Sequence, residues 1–217
     1  MEPLEGLLAP YRGALQAPPR SVDLELGEFR IVGAIEHVGS DDGAPGAHES
    51  CEPGSGGPGP RTMVWWRLGK LRARDRIEVW LRQLAWMAAG HGPLEAVVVS
   101  RDRKSWRSAT FAPPDDAREH LGRWLDAWWG GQSAPLQVFP ETSLAYANAI
   151  VRAGGDGDAL VEAAREKAGS AWYGDQFTRG ERHDPYHALV YESGDPITGG
   201  FEELAQKLLV PLARAQP

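Results

Sequence analysis

The residues with the most chemical meaning lie on two neighbouring strands, one ending in a carboxylate and the other holding none. The run Phe29-Arg-Ile-Val-Gly-Ala-Ile-Glu36 alternates as a half-buried strand and delivers Glu36 to its end. A second short apolar run, Met63 to Leu68, carries Val64-Trp65-Trp66-Arg67. Magnesium-assisted phosphodiester hydrolysis needs carboxylates to hold the metal and usually a lysine to orient the attacking water. Glu36 has the chemistry to ligate; an indole does not. An arginine stays charged and cannot exchange a proton as an activating lysine does. One carboxylate without its partner is a poor Mg²⁺ site. The set therefore points to no catalytic residue, no metal and no cofactor in this chain. The plainer reading makes Glu36 a solvated strand-end residue, with Trp65 and Trp66 as core and rim packing.

Cations gather around these strands. Arg67, Lys70, Arg72, Arg74 and Arg76 fall within ten residues, and Arg101, Arg103, Lys104 and Arg107 cluster around Trp106. Lys70 to Arg76 precede or open a helix, where positive charge opposes the macrodipole by roughly 0.3–1 kcal/mol each. Contact with DNA phosphates would explain them; a solvated face with internal pairs through Asp75 or Asp102 is the competing account. His183 and His187 have a metal-pair spacing, but without a third ligand they read as the cap and first turn of a helix. No Gly-x-Ser-x-Gly elbow and no phosphate-loop Gly-Lys-Ser/Thr occurs.

The positioning elements follow from periodicity. Val22, Leu24 and Leu26 share one strand face, and Gly27-Glu28 marks a hairpin tip. Residues 1–20 form a lead-in, and 39–62 read as a flexible Gly/Pro-rich loop. Leu71 to Ala89 takes helical period with Ile77, Trp80, Leu81, Leu84 and Ala88 inward. Glu95 to Ser100 reads as a buried central strand, and Trp106 to Phe111 pairs with it across a polar turn. A helix after Pro113-Pro114-Asp115-Asp116 places Ala117, Leu121, Trp124, Leu125 and Trp128 on one stripe. Trp66 and Trp129 lie off the apolar stripes and are candidates for a partner interface. Residues 140–217 read as helical: helices follow Pro140 and Asp158, Asp184-Pro185 is a cap and first position, and a terminal helix runs from Gly200 to Ala213. The expected class is α/β (α+β), a small mixed sheet flanked by helices, in a single domain over 1–217.

Composition bounds the function. The chain has 217 residues and a net charge of −7, unevenly spread. Residues 1–60 carry 3 basic and 10 acidic side chains, residues 61–130 carry 13 and 8, and residues 131–217 carry 7 and 12. That balance excludes a histone-like general DNA binder but allows a local basic strip. The lone Cys51 cannot pair within the chain and fits a reducing cytoplasm. No signal-peptide pattern and no apolar run long enough for a membrane helix is found.

Four segments carry a resemblance: Val32-Gly33-Ala34-Ile35-Glu36; Arg74-Asp75-Arg76-x-x-x-Trp80-Leu81-x-x-Leu84-Ala85; Pro140-Glu141-Thr142-Ser143-x-Ala145-Tyr146-Ala147; and Gly180-Glu181-x-x-Asp184-x-Tyr186. Together they resemble the C-terminal part of the RecC-type gamma subunit of exodeoxyribonuclease V, from about residue 20 to the end. The resemblance implies a piece of a subunit several times longer, with Met1 supplied by cloning. It implies a restriction-endonuclease-like core whose active site is degenerate. In such a core an acid stands on the first strand and Asp-x-Lys on the second, so Glu36 keeps its place while Trp65 and Arg67 replace the second acid and the lysine. It also implies DNA, bound weakly by the isolated chain, and the beta and alpha subunits of a helicase–nuclease as partners, in the cytoplasm, with no membrane. Two other readings stay open. One is an active nuclease drawing ligands from Asp23, Glu25 or Asp75; the other is a pure protein-docking module.

Overall fold

The computed structural model describes residues 4–39, 61–102, 105–154, 157–192 and 194–216. The chain groups into two compact units. One holds Met1–Leu71 and Glu78–Leu121; the other holds Arg72–Ile77 and Gly122–Ala215.

In the first unit the expected lead-in is not plain coil. It forms α1 (Leu4–Leu8), a 3-10 turn (Ala9–Tyr11) and α2 (Arg12–Gln16) before β1 (Arg20–Leu26) begins. β1 pairs antiparallel with β2 (Phe29–Ile35), Leu26 facing Phe29 across the two-residue turn. Gly27 takes φ +61° there, a conformation that favours a residue without Cβ. Alternation holds: Val22 and Leu24 are buried while Asp23 and Glu25 are exposed.

A four-stranded sheet follows in the order β3–β4–β5–β6: β3 (Val38–Gly39), β4 (Arg61–Arg67), β5 (Leu94–Asp102) and β6 (Ser105–Phe111). β4 and β5 run parallel; β3 and β6 are antiparallel to their neighbours. The pairing corrects the bounds of the anticipated loop 39–62, because Gly39 faces Thr62 in the ladder; residues 40–60, with Cys51, lie outside the described residues. Gly39 is required: a Cβ there would meet Ala14 Cβ at 2.9 Å, so α2 packs directly on β3. β5 is central, and Ala96 to Ser100 are all buried, which explains its unbroken apolar run. A parallel pair needs a crossover, supplied by α3 (Ala73–Ala88). Trp80, Leu84 and Trp86 of α3 are fully buried. So is Gln83, whose Nε2 donates to the carbonyls of Leu94 (2.6 Å), Phe111 (3.1 Å) and Ala112 (3.2 Å).

The second unit is helical: α4 (Ala117–Gly130, entered from the first unit), α5 (Pro140–Ala153), α6 (Asp158–Tyr173), α7 (Pro185–Val190) and α8 (Gly199–Ala215). Phe139, Tyr146, Trp172, Phe201 and Leu208 build its core. Phe201 lies 6.2 Å from Phe139 in a stacked pair and 5.7 Å from Tyr146 edge-on. The inward stripe expected for α4 holds at Ala117 and Leu121 but fails at Trp128, which is 55% exposed.

Two of the family-like segments interlock at helix N-termini. The Glu181 carboxylate, in a 3-10 turn (Glu181–His183), accepts from the N–H groups of Glu141 (3.2 Å) and Thr142 (2.8 Å), the first turn of α5. Glu141 in turn accepts from Ala73 N at 3.0 Å, and Asp75 Oδ2 accepts from Arg72 N at 2.8 Å, both at the start of α3. Four orphan donors are thus met by carboxylates placed where the dipole favours them. Asp184 caps α7 by accepting from Tyr186 N, as the Asp-Pro pair implied. Glu181→Ala is expected to cost about 1–2 kcal/mol, seen as a lower urea midpoint with an unchanged slope. A midpoint equal to that of the parent would show water replacing the carboxylate without penalty.

Candidate functional site

Glu36 stands just beyond the end of β2, exposed to solvent. The next residue, His37, takes φ +59°, the one non-glycine residue with positive φ among those described. Such a conformation is uncommon for a side-chain-bearing residue and turns the chain from β2 into β3. His37 O accepts from Val64 N at 3.0 Å, and Val38 faces Met63. The ladder between β3 and β4 pairs Val38 and Gly39, so Glu36 lies outside it, before the turn at His37. Trp65 and Arg67 are both half-buried.

Two of the three other candidate ligands are committed elsewhere. Asp23 is held by Arg30 at 2.7 and 2.9 Å, which draws its carboxyl below the ordinary carboxylate range. Asp75, buried, caps α3 in the second unit. Glu25 lies exposed on β1. Among the described residues no group of three or more His, Cys, Asp or Glu side chains is placed to hold a metal ion. His183 and His187 do not form a ligand pair: His187 Nδ1 bonds Glu181 O at 3.1 Å and its ring packs edge-on to Phe139 at 5.0 Å.

The basic strip divides. Arg67 and Lys70 belong to the first unit with Arg101, whose N–H bonds Gly69 O at 3.2 Å. Arg72, Arg74 and Arg76 belong to the second, Arg72 just before α3 and the other two on its opening turn. Arg72 and Arg74 are exposed; burial pushes the Arg76 guanidinium down from its ordinary value, opposed by the nearby Glu141 carboxylate. Helix-end cations here are balanced by Asp75 and Glu141, so the dipole argument for phosphate contact loses force. Arg103 and Lys104 lie outside the described residues.

Sequence reasoning missed His37. Its ring lies 4.7 Å from that of Trp66, tilted by 53°, and its Nε2 is 3.8 Å from Glu36 Oε2. Nothing in its local pattern distinguishes it, because the positive φ arises only when β2 and β3 are both paired. Trp66 is 40% exposed and Trp129 61%, in keeping with their places off the apolar stripes. Trp106 carries the Arg101 guanidinium over its ring at 5.9 Å.

No helix among the described residues is long and apolar enough to cross a membrane. Over 160 residues the chain is 29% identical to the RecBCD enzyme subunit RecC of Escherichia coli (strain K12), covering 71% of this chain and 14% of that relative. The chain thus spans a small part of its relative's length. The family model for the RecC C-terminal domain matches residues 1–151, which take in the whole sheet-bearing unit up to Leu121 and run on through most of α5. By that match the chain belongs to the RecC C-terminal domain family.

Proposed function

We propose that this chain is a nuclease-like domain without cutting chemistry, serving a helicase–nuclease of recombinational DNA repair by guiding DNA strands and docking partner subunits. One observation carries the reading: β4, which pairs with the strand that follows Glu36, holds Trp65 and Arg67 and no carboxylate. Family membership supports it, as does the order β3–β4–α3–β5, a mixed sheet with a helical crossover of the kind a restriction-endonuclease-like core uses. Arg67, Lys70 and Arg101 in one unit, and Arg72 and Arg74 in the other, are the cations assigned to phosphate. The beta and alpha subunits of exodeoxyribonuclease V are the partners this reading assigns, in the cytoplasm.

Linear duplex DNA incubated with the chain and Mg²⁺ or Mn²⁺ is expected to stay intact. Cleavage abolished by Glu36→Ala would reverse the reading in favour of an active nuclease. In a salt titration of DNA binding, Arg72→Ala/Arg74→Ala is expected to lower the slope of log K against log salt by roughly 1–2. An unchanged slope would remove those two arginines from the interface.

A further inference from the structure

The hairpin β1–β2 stands as a two-stranded sheet of its own, so each strand has an outer edge whose backbone groups the ladder does not use. Leu26 faces Phe29 across a two-residue turn, and the residues flanking such a turn exchange hydrogen bonds. Alternation then makes Leu24–Ile31, Val22–Gly33 and Arg20–Ile35 the bonded pairs. It turns Ser21, Asp23 and Glu25 outward on β1, and Arg30, Val32 and Ala34 outward on β2. An independent observation agrees: Ser21 O is bonded from outside by His91 Nε2 at 3.2 Å, and Glu25 O by the Arg118 guanidinium.

The two edges differ. On β1 two of the three outward carbonyls are taken. On β2, among the described residues, no hydrogen bond reaches the backbone of Arg30, Val32 or Ala34 from outside. These three and Gly33 are exposed, Val32 by 68%, and a Cβ on Gly33 would meet nothing within 4 Å. The devices that protect an edge strand are missing from β2. It holds no proline, its seven pairs run one to one without a bulge, and its one charge, Arg30, is held across the hairpin by Asp23 at 2.7 and 2.9 Å. β6, an outer strand of the four-stranded sheet, does carry such a device in the exposed Arg107. Three N–H and three C=O groups at two-residue spacing, about 6.7 Å apart, thus face outward on β2 beside an exposed apolar side chain. An added strand requires that arrangement. Residues 20–36 carry the carboxylates Asp23, Glu25, Glu28 and Glu36 against Arg20 and Arg30. The field at the edge is therefore negative, which repels a second copy of the hairpin and draws in a segment flanked by Lys or Arg.

We propose that β2 is a docking edge that takes an extended, proline-free segment of a partner protein, flanked by Lys or Arg, as a third strand of the hairpin sheet. Main-chain bonds to Arg30, Val32 and Ala34 supply the grip, and the side chain set beside Val32 is apolar. The inference rests on the docking half of the reading above and names the form in which the partner is met.

The first measurement needs no partner: amide hydrogen exchange in the 217-residue chain. Arg30, Val32 and Ala34 are expected to exchange nearly as fast as an open chain, with Ile31, Gly33 and Ile35 slowed by the ladder. Outward amides as slow as the inward ones would mean that the edge is already covered, which overturns the proposal and leaves docking standing. The beta and alpha subunits of exodeoxyribonuclease V are then coexpressed with the chain in turn, and retention of either should slow the outward amides. Val32→Pro removes an N–H that the ladder does not use; it should weaken retention by roughly 10-fold or more, and Val32→Thr by no more than about 2-fold. Circular dichroism checks that Val32→Pro keeps the fold, and Val32→Lys, which sets a charge on the edge, is a second variant with the same expectation. Retention unchanged in Val32→Pro and Val32→Lys, or lost equally in Val32→Thr, overturns strand addition and leaves docking standing. Slowing that grows with the chain's own concentration, with dimers in sedimentation, overturns it in favour of a second copy. Retention of neither subunit by the unaltered chain overturns the docking reading along with it.

Discussion

Adding one methyl group at Gly180 is expected to destabilise the chain by about 3 kcal/mol or more, lowering its melting temperature by roughly 6–12 °C. Gly180 is buried where the chain doubles back after α6. A Cβ there would sit well inside contact distance of Trp172 O, the Tyr173 carbonyl carbon and Gly174 N. These are backbone atoms and cannot rotate away. Gly174, at φ +72°, bridges to Arg179, and Asp175 closes the turn by accepting from Phe177 N (2.8 Å) and Thr178 N (2.7 Å). Those two N–H groups hold the Asp175 carboxyl below the ordinary range. The crossing also aims Glu181 at the first turn of α5, so the methyl would cost the cap as well. Gly169, inside α6 with nothing within 4 Å of its Cβ position, is the contrast. Gly169→Ala should stabilise by roughly 0.5–1 kcal/mol through helix propensity alone. Thermal melts of both variants by circular dichroism check the pair, and a Gly180→Ala melt matching the parent would show that the crossing is not tight.

The second large effect is expected at Gln83. Its amide is buried and joins α3 to the first residue of β5 and the last of β6. Gln83→Leu keeps the volume but leaves the carbonyls of Leu94, Phe111 and Ala112 without this donor. The expected cost is about 2–3 kcal/mol in urea unfolding, since an unmet buried acceptor loses more than an average hydrogen bond contributes. Gln83→Glu should be worse, because it brings an oxygen charge against three carbonyl oxygens. A Gln83→Leu variant as stable as the parent would mean that water reaches those carbonyls.

These two positions differ in how far sequence could find them. Gln83 sits in a helix whose period was plain from Ile77, Trp80 and Leu84, yet a glutamine within that stripe carries no mark of burial. Only the arrival of strand ends from 11 and 28 residues away turns it into a joint. Gly180 was visible as part of Gly180-Glu181-x-x-Asp184-x-Tyr186, but its reason was not. The segment works through sterics at Gly180 and caps at Glu181 and Asp184, and none of these is chemistry on a substrate.

Local patterns determined the elements themselves. Alternation around Gly27-Glu28 yielded the hairpin, the apolar run before Ser100 yielded the central strand, and Pro140 and Asp184-Pro185 marked helix starts. Each depends on neighbours within a few residues, where backbone sterics and burial period dominate. That the run Met63–Leu68 holds no carboxylate was likewise legible, and Trp65 cannot ligate in any fold. What only the tertiary structure decided is which distant side chains share a place. The turn at His37 and strand register brought His37 beside Trp66 and laid Arg101 over Trp106. The grouping of the chain into two units divides the basic run between Lys70 and Arg72. Register and packing are summed over whole strands and helices, so no single short window of sequence contains them.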